Sequence, residues 1–412
     1  MTNKIADLSC RISLLVMLLI SQSSVMATEF HGYIRSGVGT NEAHGDQVCF
    51  KLPSAAAKYR LGNECESYAE LTLSEKVLEK TDGAYFKLAT TLAFVVDAAQ
   101  DWEPFAPSWR EVYVEGGQLL KGKTWHQARF WAGKKFYRRH DVHINDFYFW
   151  DNSGPGAGIE DISLGRSKLA YAWRRNNETD ERAITQHDLR WYELDTNKNG
   201  QLTLGVNLIF SDSSQPGFAG ENGEQLHLLH QQNKVLGGFN KLAVQYGKAS
   251  GSTLNNAPDD TLNSSDTTYR IVEQLLMQKD QSWSAMLSVI HEQKTNKQTW
   301  QSFGIRPVYH YSEHTSLALE IGYDTIKPEA GERQQISKLT ISAQLSSGYG
   351  FWSRPVLRAF VTYADWNRAA QLSADLADLE NPAEPAQTIG SNGVFGTATH
   401  GLTYGFQAEA WW

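Results

Sequence analysis

The sequence predicts an all-β protein, a transmembrane antiparallel barrel, and three observations carry that prediction. Hydrophobicity alternates with period two over many short segments, the first residues read as an export signal, and no later stretch offers eighteen consecutive apolar residues. Any membrane embedding must therefore use strands. Aromatics make up 11% of the 412 residues, with 13 Trp and 17 Tyr, in a chain of net charge −8. That mix suits an apolar band rimmed by Trp and Tyr, and it excludes nucleic acid as a partner because no basic stripe is present to neutralise phosphates. The length allows two ordinary domains or one large barrel.

Residues 1–27 are expected to be a signal peptide: Lys4 and Arg11 precede the apolar run Ile12–Ile20, and Val25-Met26-Ala27 supplies a cleavage point before Thr28. Residues 28–412 then form the barrel domain. Cys10 leaves with the signal, and Cys49 and Cys65 remain. In an exported chain the pair reads as one disulfide closing a local loop, with two free thiols as the alternative.

The first alternating segment sets Phe30 and Ile34 against His31, Tyr33 and Arg35. In Ser67–Leu73, Ala69, Leu71 and Leu73 oppose Tyr68, Glu70 and Thr72. Segments of the same kind start near Ala84, Arg110, Gln127, Ser167, Ile184, Leu202, Leu226, Asn240, Thr268, Ser282, Trp300, Thr315, Ser337, Val356 and Leu402, giving about seventeen or eighteen strands. At about ten residues each they leave roughly half of the mature chain for turns and loops. Asp195–Gly200, DTNKNG, predicts a tight hairpin turn, and Arg306-Pro307 to Thr315 a second compact reversal. Ser211–Glu224, Lys248–Thr267 and Asp365–Gly401 are long polar excursions. Short turns on one rim, facing the periplasm, and long loops on the other is the outer-membrane pattern. In the last strand Leu402, Tyr404, Phe406, Ala408, Ala410 and Trp412 face lipid, which turns Trp411 into the lumen. A water-soluble sandwich would alternate in the same way.

Several aromatics fall on the side where polar residues belong. Parity turns Tyr33, Tyr68 and Trp411 inward. It does the same for Phe239, which shares a face with Lys241, Ala243 and Gln245, and for Trp352, which shares one with Arg354 and Arg358. Such a row suits the apolar faces of pyranose rings, with Arg35, Glu70 and Arg358 beside it to bond hydroxyls; the alternative is that the rings fill the barrel. The stretch Phe136–Gly158, too polar for a core and too aromatic for an ordinary loop, reads as a loop folded into the barrel mouth that narrows a sugar-conducting pore, with Gly154 to Gly158 returning the chain to the wall. His140-Asp141-x-His143 lacks a third ligand cluster, so no metal is expected. DTNKNG opens like a calcium loop but has Val206 where a bidentate Glu is required. Without a phosphate loop or G-x-S-x-G elbow, enzymatic readings have no local support.

FHGYIRSG at the mature start, KYRLGNECESYAEL, FWAGKKFYRRHDVHINDFYFWDNSGPGAG, GFNKLAVQY, SFGIRPVY, WSRP and the terminal AEAWW together resemble the maltoporin family, the maltodextrin-selective porins of Gram-negative outer membranes, nearly end to end. The resemblance implies an eighteen-stranded barrel, a homotrimer, an inward third loop, and passive diffusion of maltose and maltodextrins with no covalent chemistry and no cofactor. It implies an aromatic slide of Tyr33, Tyr68, Phe239, Trp352 and Trp411, with Trp102 supplied from a neighbouring subunit and Tyr148 facing the slide across the constriction. It also implies polar tracks of Arg35, Arg60, Glu70, Arg110, Arg139, Asp141 and Asp146, and a Cys49–Cys65 loop disulfide. Arg110 shares a strand face with Val112 and Val114, which parity turns outward. His140 and His143 are expected to matter least for transport. Segments 174–186 and 248–267 are abbreviated and Asp365–Gly401 diverges, so a related porin for sucrose or another glycoside is the alternative. A barrel hydrolase or a secreted carbohydrate-binding sandwich would stand outside the porin class.

Overall fold

In the computed structural model, which describes residues 28–97, 106–179, 182–213, 220–381 and 388–412, the alternating segments are strands of one wall. The expected signal and Trp102 lie outside the described residues. The wall begins with β1 (Glu29–Asn41), β2 (Glu66–Glu79), β3 (Tyr85–Asp97), β4 (Ser108–Gly117) and β5 (Arg129–Lys135). The chain then leaves it for a small hairpin, β6 (His140–Val142) and β7 (Phe147–Trp150), and returns as β8 (Gly154–Leu164), which pairs with β5. There follow β9 (Ser167–Thr179), β10 (Arg182–Asn197), β11 (Gly200–Ser213), β12 (Gly223–Val235), β13 (Gly238–Lys248) and β14 (Thr267–Met277). The wall ends with β15 (Trp283–Lys294), β16 (Gln298–His310), β17 (Thr315–Pro328), β18 (Gln334–Ser346), β19 (Val356–Trp366), a helix α1 (Arg368–Glu380), and β20 (His400–Trp411). Eighteen strands pair antiparallel with their chain neighbours, and β20 pairs with β1 to close the barrel, setting Trp411 opposite Tyr33. Closure leaves no unpaired edge, the condition for a sheet to cross a membrane.

Parity along the strands matches the expected alternation. Phe30, Ile34 and Val38 are exposed on the outer face of β1, while Arg35 is buried inside. Lys198 and Asn199 make the two-residue turn of DTNKNG, with Asn199 in the left-handed region at φ 66°, where Asn is tolerated. Turns of two to five residues dominate that rim, and the long connections 42–65, 136–153, 249–266 and 367–399 lie at the other.

Four expectations are corrected. Gly154–Gly158 is the first half of a wall strand rather than a returning turn, which is why one strand escapes the sequence count. Its glycines answer close approach: a Cβ on Gly156 would stand 2.2 Å from the Trp173 carbonyl, and Gly154 has φ +144°. Arg306 and Pro307 belong to β16, and the reversal is confined to residues 311–314. Proline is accepted there because the ladder to β17 skips both positions, so no N–H is missed. Within the excursion Asp365–Gly401, residues 365–366 still belong to β19, and the run of Ala and Leu forms α1, whose N-cap Asn367 accepts from the Ala370 amide. Trp352 lies in the connection 347–355 before β19, not on a strand, so strand parity does not apply to it.

Two connections fold inward and bond to the inner wall between β10 and β20. Residues 42–65 are pinned by the Cys49–Cys65 disulfide, with Cα atoms 6.0 Å apart. They bury Phe50, Leu52, Tyr59 and Leu61 in the core cluster. Tyr59 lies against Gly304 and Gly322, where a Cβ would come within 1.9 and 2.2 Å of its ring. Residues 136–153 are the second. Val142, Ile144, Phe147, Phe149 and Trp150 are buried on their wall side, and each such side chain is worth about 1.5–3 kcal/mol in burial.

Candidate functional site

The hairpin of residues 136–153 has one apolar face and one polar face because its residues alternate, as in a wall strand. The apolar face docks: Phe147 meets Trp300 edge-on at 5.3 Å, Trp150 stacks on His227 at 4.6 Å, and a Cβ on Gly205 would overlap Trp150. Its backbone is bonded to the wall as well. Gln245 and Arg270 donate to the Phe149 carbonyl at 2.8 and 3.2 Å, and Arg190 donates to the Arg138 carbonyl at 2.7 Å. Residues 143–145 form a single 3₁₀ turn, closed by Asp146 at φ 54°. What remains, Arg139, Asp141, Asp146 and Tyr148, faces the open half of the lumen.

That open half is a cavity of about 380 Å³. Tyr33, Tyr68, Trp411 and Tyr148 all line it. Tyr33 stands 6.0 Å from Tyr68 and stacks on Trp411 at 6.5 Å and 19°, and Trp411 is 6.4 Å from Trp352. Four expected slide residues therefore form one continuous run of rings. Trp352 reaches it from a connection rather than from a strand. Phe239 is apart: it sits beside Gly238 at the turn rim, beneath the Lys241 ammonium at 4.9 Å, and does not line this cavity.

All seven expected polar residues line the cavity: Arg35, Arg60, Glu70, Arg110, Arg139, Asp141 and Asp146. Arg110 gets there through a β-bulge. The register of β3 with β4 shifts between Thr91 and Leu92, which pair with Glu111 and Trp109 and leave Arg110 unpaired. Such a bulge re-aims one side chain, and Val112 and Val114 stay exposed on the outer wall. The guanidiniums of Arg110 and Arg139 lie 5.3 and 3.5 Å from the Phe136 ring, and Arg139 is also 4.7 Å from Tyr148. Phe136 thus spaces two cations that would otherwise repel.

The remaining arginines are held by buried carboxylates. Glu64 takes Arg35 at 2.9 Å and Arg60 at 2.7 Å. Glu409, 1% exposed, takes Arg354 and Arg358 at 2.7 Å each and Arg60 at 3.2 Å, and accepts from the Tyr33 hydroxyl at 3.0 Å. Parity puts Glu409 inside from sequence alone; Glu64, in a loop, gives no such signal. The Asp151 carboxylate and the His143 ring also line the cavity. Of the two histidines expected to matter least for transport, His143 stands with its ring 4.9 Å from Trp352 and 5.9 Å from Trp411. Among the described residues no group of three His, Cys, Asp or Glu could hold a metal ion.

Burial, followed by the neighbouring Arg190 cation, holds His140 well below the usual histidine range. Burial, followed by Arg60, does the same for His143, with Arg354 and Arg306 adding to it and Glu409 opposing. With folded values depressed, the folded protein declines protons that the unfolded chain binds, so stability falls as pH drops below the unfolded value of about 6.5. Each histidine should then weaken the seating of the hairpin by about 1.4 kcal/mol per pH unit. Asp141, raised by burial, has the opposite sign: its contribution is present at low pH and lost as pH rises through its folded value. Hydrogen exchange of amides 140–150, corrected for intrinsic rates, should show protection falling between pH 6.5 and 5, with a shallower fall in His140→Gln/His143→Gln.

The sequence model of the LamB porin family matches residues 28–412. Among solved structures, a BenF-like porin from Pseudomonas fluorescens Pf-5 is similar with a TM-score of 0.53 at 9% identity, covering 93% of this chain and 98% of that one. OpdL of Pseudomonas aeruginosa gives 0.49 at 10% identity, covering 93% and 98%. An anion-selective porin from Comamonas acidovorans gives 0.45 at 9%, covering 93% and 99%.

Proposed function

The chain belongs to the LamB porin family, and on that premise, for a porin of the Gram-negative outer membrane, we propose that it conducts maltose and maltodextrins by passive diffusion, as a homotrimer exported by the signal in residues 1–27. The observation that supports this reading is the continuous run Tyr68–Tyr33–Trp411–Trp352, whose first three rings share one cavity with Tyr148 and with side chains of both signs of charge. Glucose units stack their apolar faces on the rings, while arginines donate to their hydroxyls and carboxylates accept from them. Neutral solutes gain from such paired tracks; small ions are handled without stacking. Phe239 is assigned a separate contact at the turn rim, apart from the continuous run, and Trp102 is assigned to a neighbouring subunit's pore. Transport needs no nucleophile, metal or cofactor, because no bond is made or broken.

Planar-bilayer conductance tests it. Maltodextrins should block the ion current in a concentration-dependent way, with longer chains blocking at lower concentration because more rings are engaged. A channel left unblocked by maltohexaose would sink the proposal. Sucrose is the informative comparison; stronger block by sucrose than by maltotriose would favour the porin for another glycoside.

A further inference from the structure

One contact joins two parts of the pore that the proposed function treats separately. His143, 9% exposed, sits on the 3₁₀ turn at the tip of the inward hairpin. Its ring is 4.9 Å from Trp352 at 62° and 5.9 Å from Trp411 at 90°, so it presents edges between the last two rings of the run. Its Nε2 is 3.4 Å from Nη2 of Arg354. A guanidinium can only donate, so Nε2 accepts and the proton of the neutral ring is on Nδ1. Arg354 in turn covers Trp411 at 4.4 Å and bonds the carbonyls of Phe351 and Ser353, holding the shape of the connection that carries Trp352.

Trp352 needs such a tie. A strand residue inherits its position from two ladders of hydrogen bonds, but Trp352 stands in a nine-residue connection, 347–355. The segment is anchored on one side by the Arg354–Glu409 ion pair at 2.7 Å and on the other by the Phe351 amide, which donates to Gln278 at 3.3 Å, and the Gly350 amide, 3.4 Å from His310, but none of these bonds holds the Trp352 ring itself. We propose that His143 is a positioning residue that locks the connection 347–355 to the inward hairpin, so that Trp352 stays in line with Trp411 and the sugar track continues through the constriction to the turn rim. The constriction and the exit are thereby one rigid unit, and a sugar that reaches Tyr148 meets the next ring already in place. The inference rests on the proposed maltodextrin conduction and adds a residue outside the slide and the polar tracks.

The test is current-noise analysis of maltohexaose block in the assembled channel. His143→Ala should raise the sugar off-rate about three- to tenfold, the range that losing one or two ring contacts gives. The on-rate should stay within about twofold, since unbinding carries most affinity changes, and the open-channel conductance should change by less than the off-rate. His143→Phe keeps a ring and should return the off-rate to within about twofold of the parent, whereas His143→Gln keeps an acceptor for Arg354 without a ring and should not. If His143→Ala fails to assemble, the Gln and Phe variants carry the same comparison. In a Trp352→Ala background, removing His143 should add nothing. An off-rate unchanged by loss of the ring, additive effects with Trp352→Ala, or a conductance change as large as the off-rate change would each overturn the inference while leaving sugar conduction standing. A parent channel that maltohexaose does not block would overturn both.

Discussion

Glu409→Ala should destabilise the protein by about 3–5 kcal/mol, because it strips the shared partner from buried cations and leaves their charge uncompensated. Arg60, Arg354 and Arg358 all reach this carboxylate within 3.2 Å, and the Tyr33 hydroxyl donates to it at 3.0 Å. Without it the three guanidiniums repel one another, and Arg60 keeps Glu64 as its carboxylate and the Tyr33 hydroxyl as a neutral acceptor. The measurement is the urea midpoint for unfolding in detergent, read beside the temperature at which the folded form is lost on electrophoresis. Glu409→Gln should fall between, since an amide oxygen still accepts while the charge is gone. Sugar block should weaken together with stability, because Tyr33 and Arg354 both touch the slide. A variant within about 1 kcal/mol of the parent would show that water or ions reach the site and that the network is weakly coupled.

Trp411→Ala should have the largest effect on sugar binding without a matching effect on the barrel. Its indole stacks with Tyr33, neighbours Trp352 and lies under the Arg354 guanidinium. Removing it breaks the run of rings in the middle and leaves Trp352 isolated from Tyr33. By analogy with a base on an aromatic platform, losing the stacking ring costs about 1–3 kcal/mol, so the concentration of maltohexaose for half-block should rise roughly five- to 150-fold. Open conductance should rise modestly, since a ring is replaced by water. Trp352→Ala and Tyr148→Ala should follow the same pattern with smaller shifts, each being a terminal or facing contact. Equal proportional changes in conductance and block would mark the channel as a plain sieve.

Much of this was legible in the sequence because strands have a period of two, and that period is enough to say which side of a closed wall a residue faces. Tyr33, Tyr68, Trp411 and Glu409 could all be turned inward by counting. Counting fails where the ladder fails. Arg110 enters the lumen through a bulge, which shifts parity by one residue and gives no compositional sign. Trp352 stands in a connection, so its agreement with parity was fortuitous. Gly154–Gly158 reads as a turn because Gly and Pro usually make one, yet here the glycines yield space to Arg174 and to the Trp173 carbonyl. His143 is invisible for another reason: a histidine between two tryptophans is a tertiary fact, and its nearest partners are more than two hundred residues away in the chain.

Tyr33 and Trp411 face each other across the seam where the first strand meets the last. Every hairpin in the wall can form from local chain, but this pairing joins residues some 376 positions apart, as the Tyr33–Glu409 bond records. Loop closure over that distance is entropically expensive and is met only once the intervening strands are in place. The continuous run of rings is accordingly the last thing the chain acquires: an incompletely closed sheet owns most of its backbone hydrogen bonds yet lacks the Tyr33–Trp411 contact. On the proposed function, maltodextrin block would double as a reporter of completed assembly, and its appearance during refolding should lag the growth of β-structure.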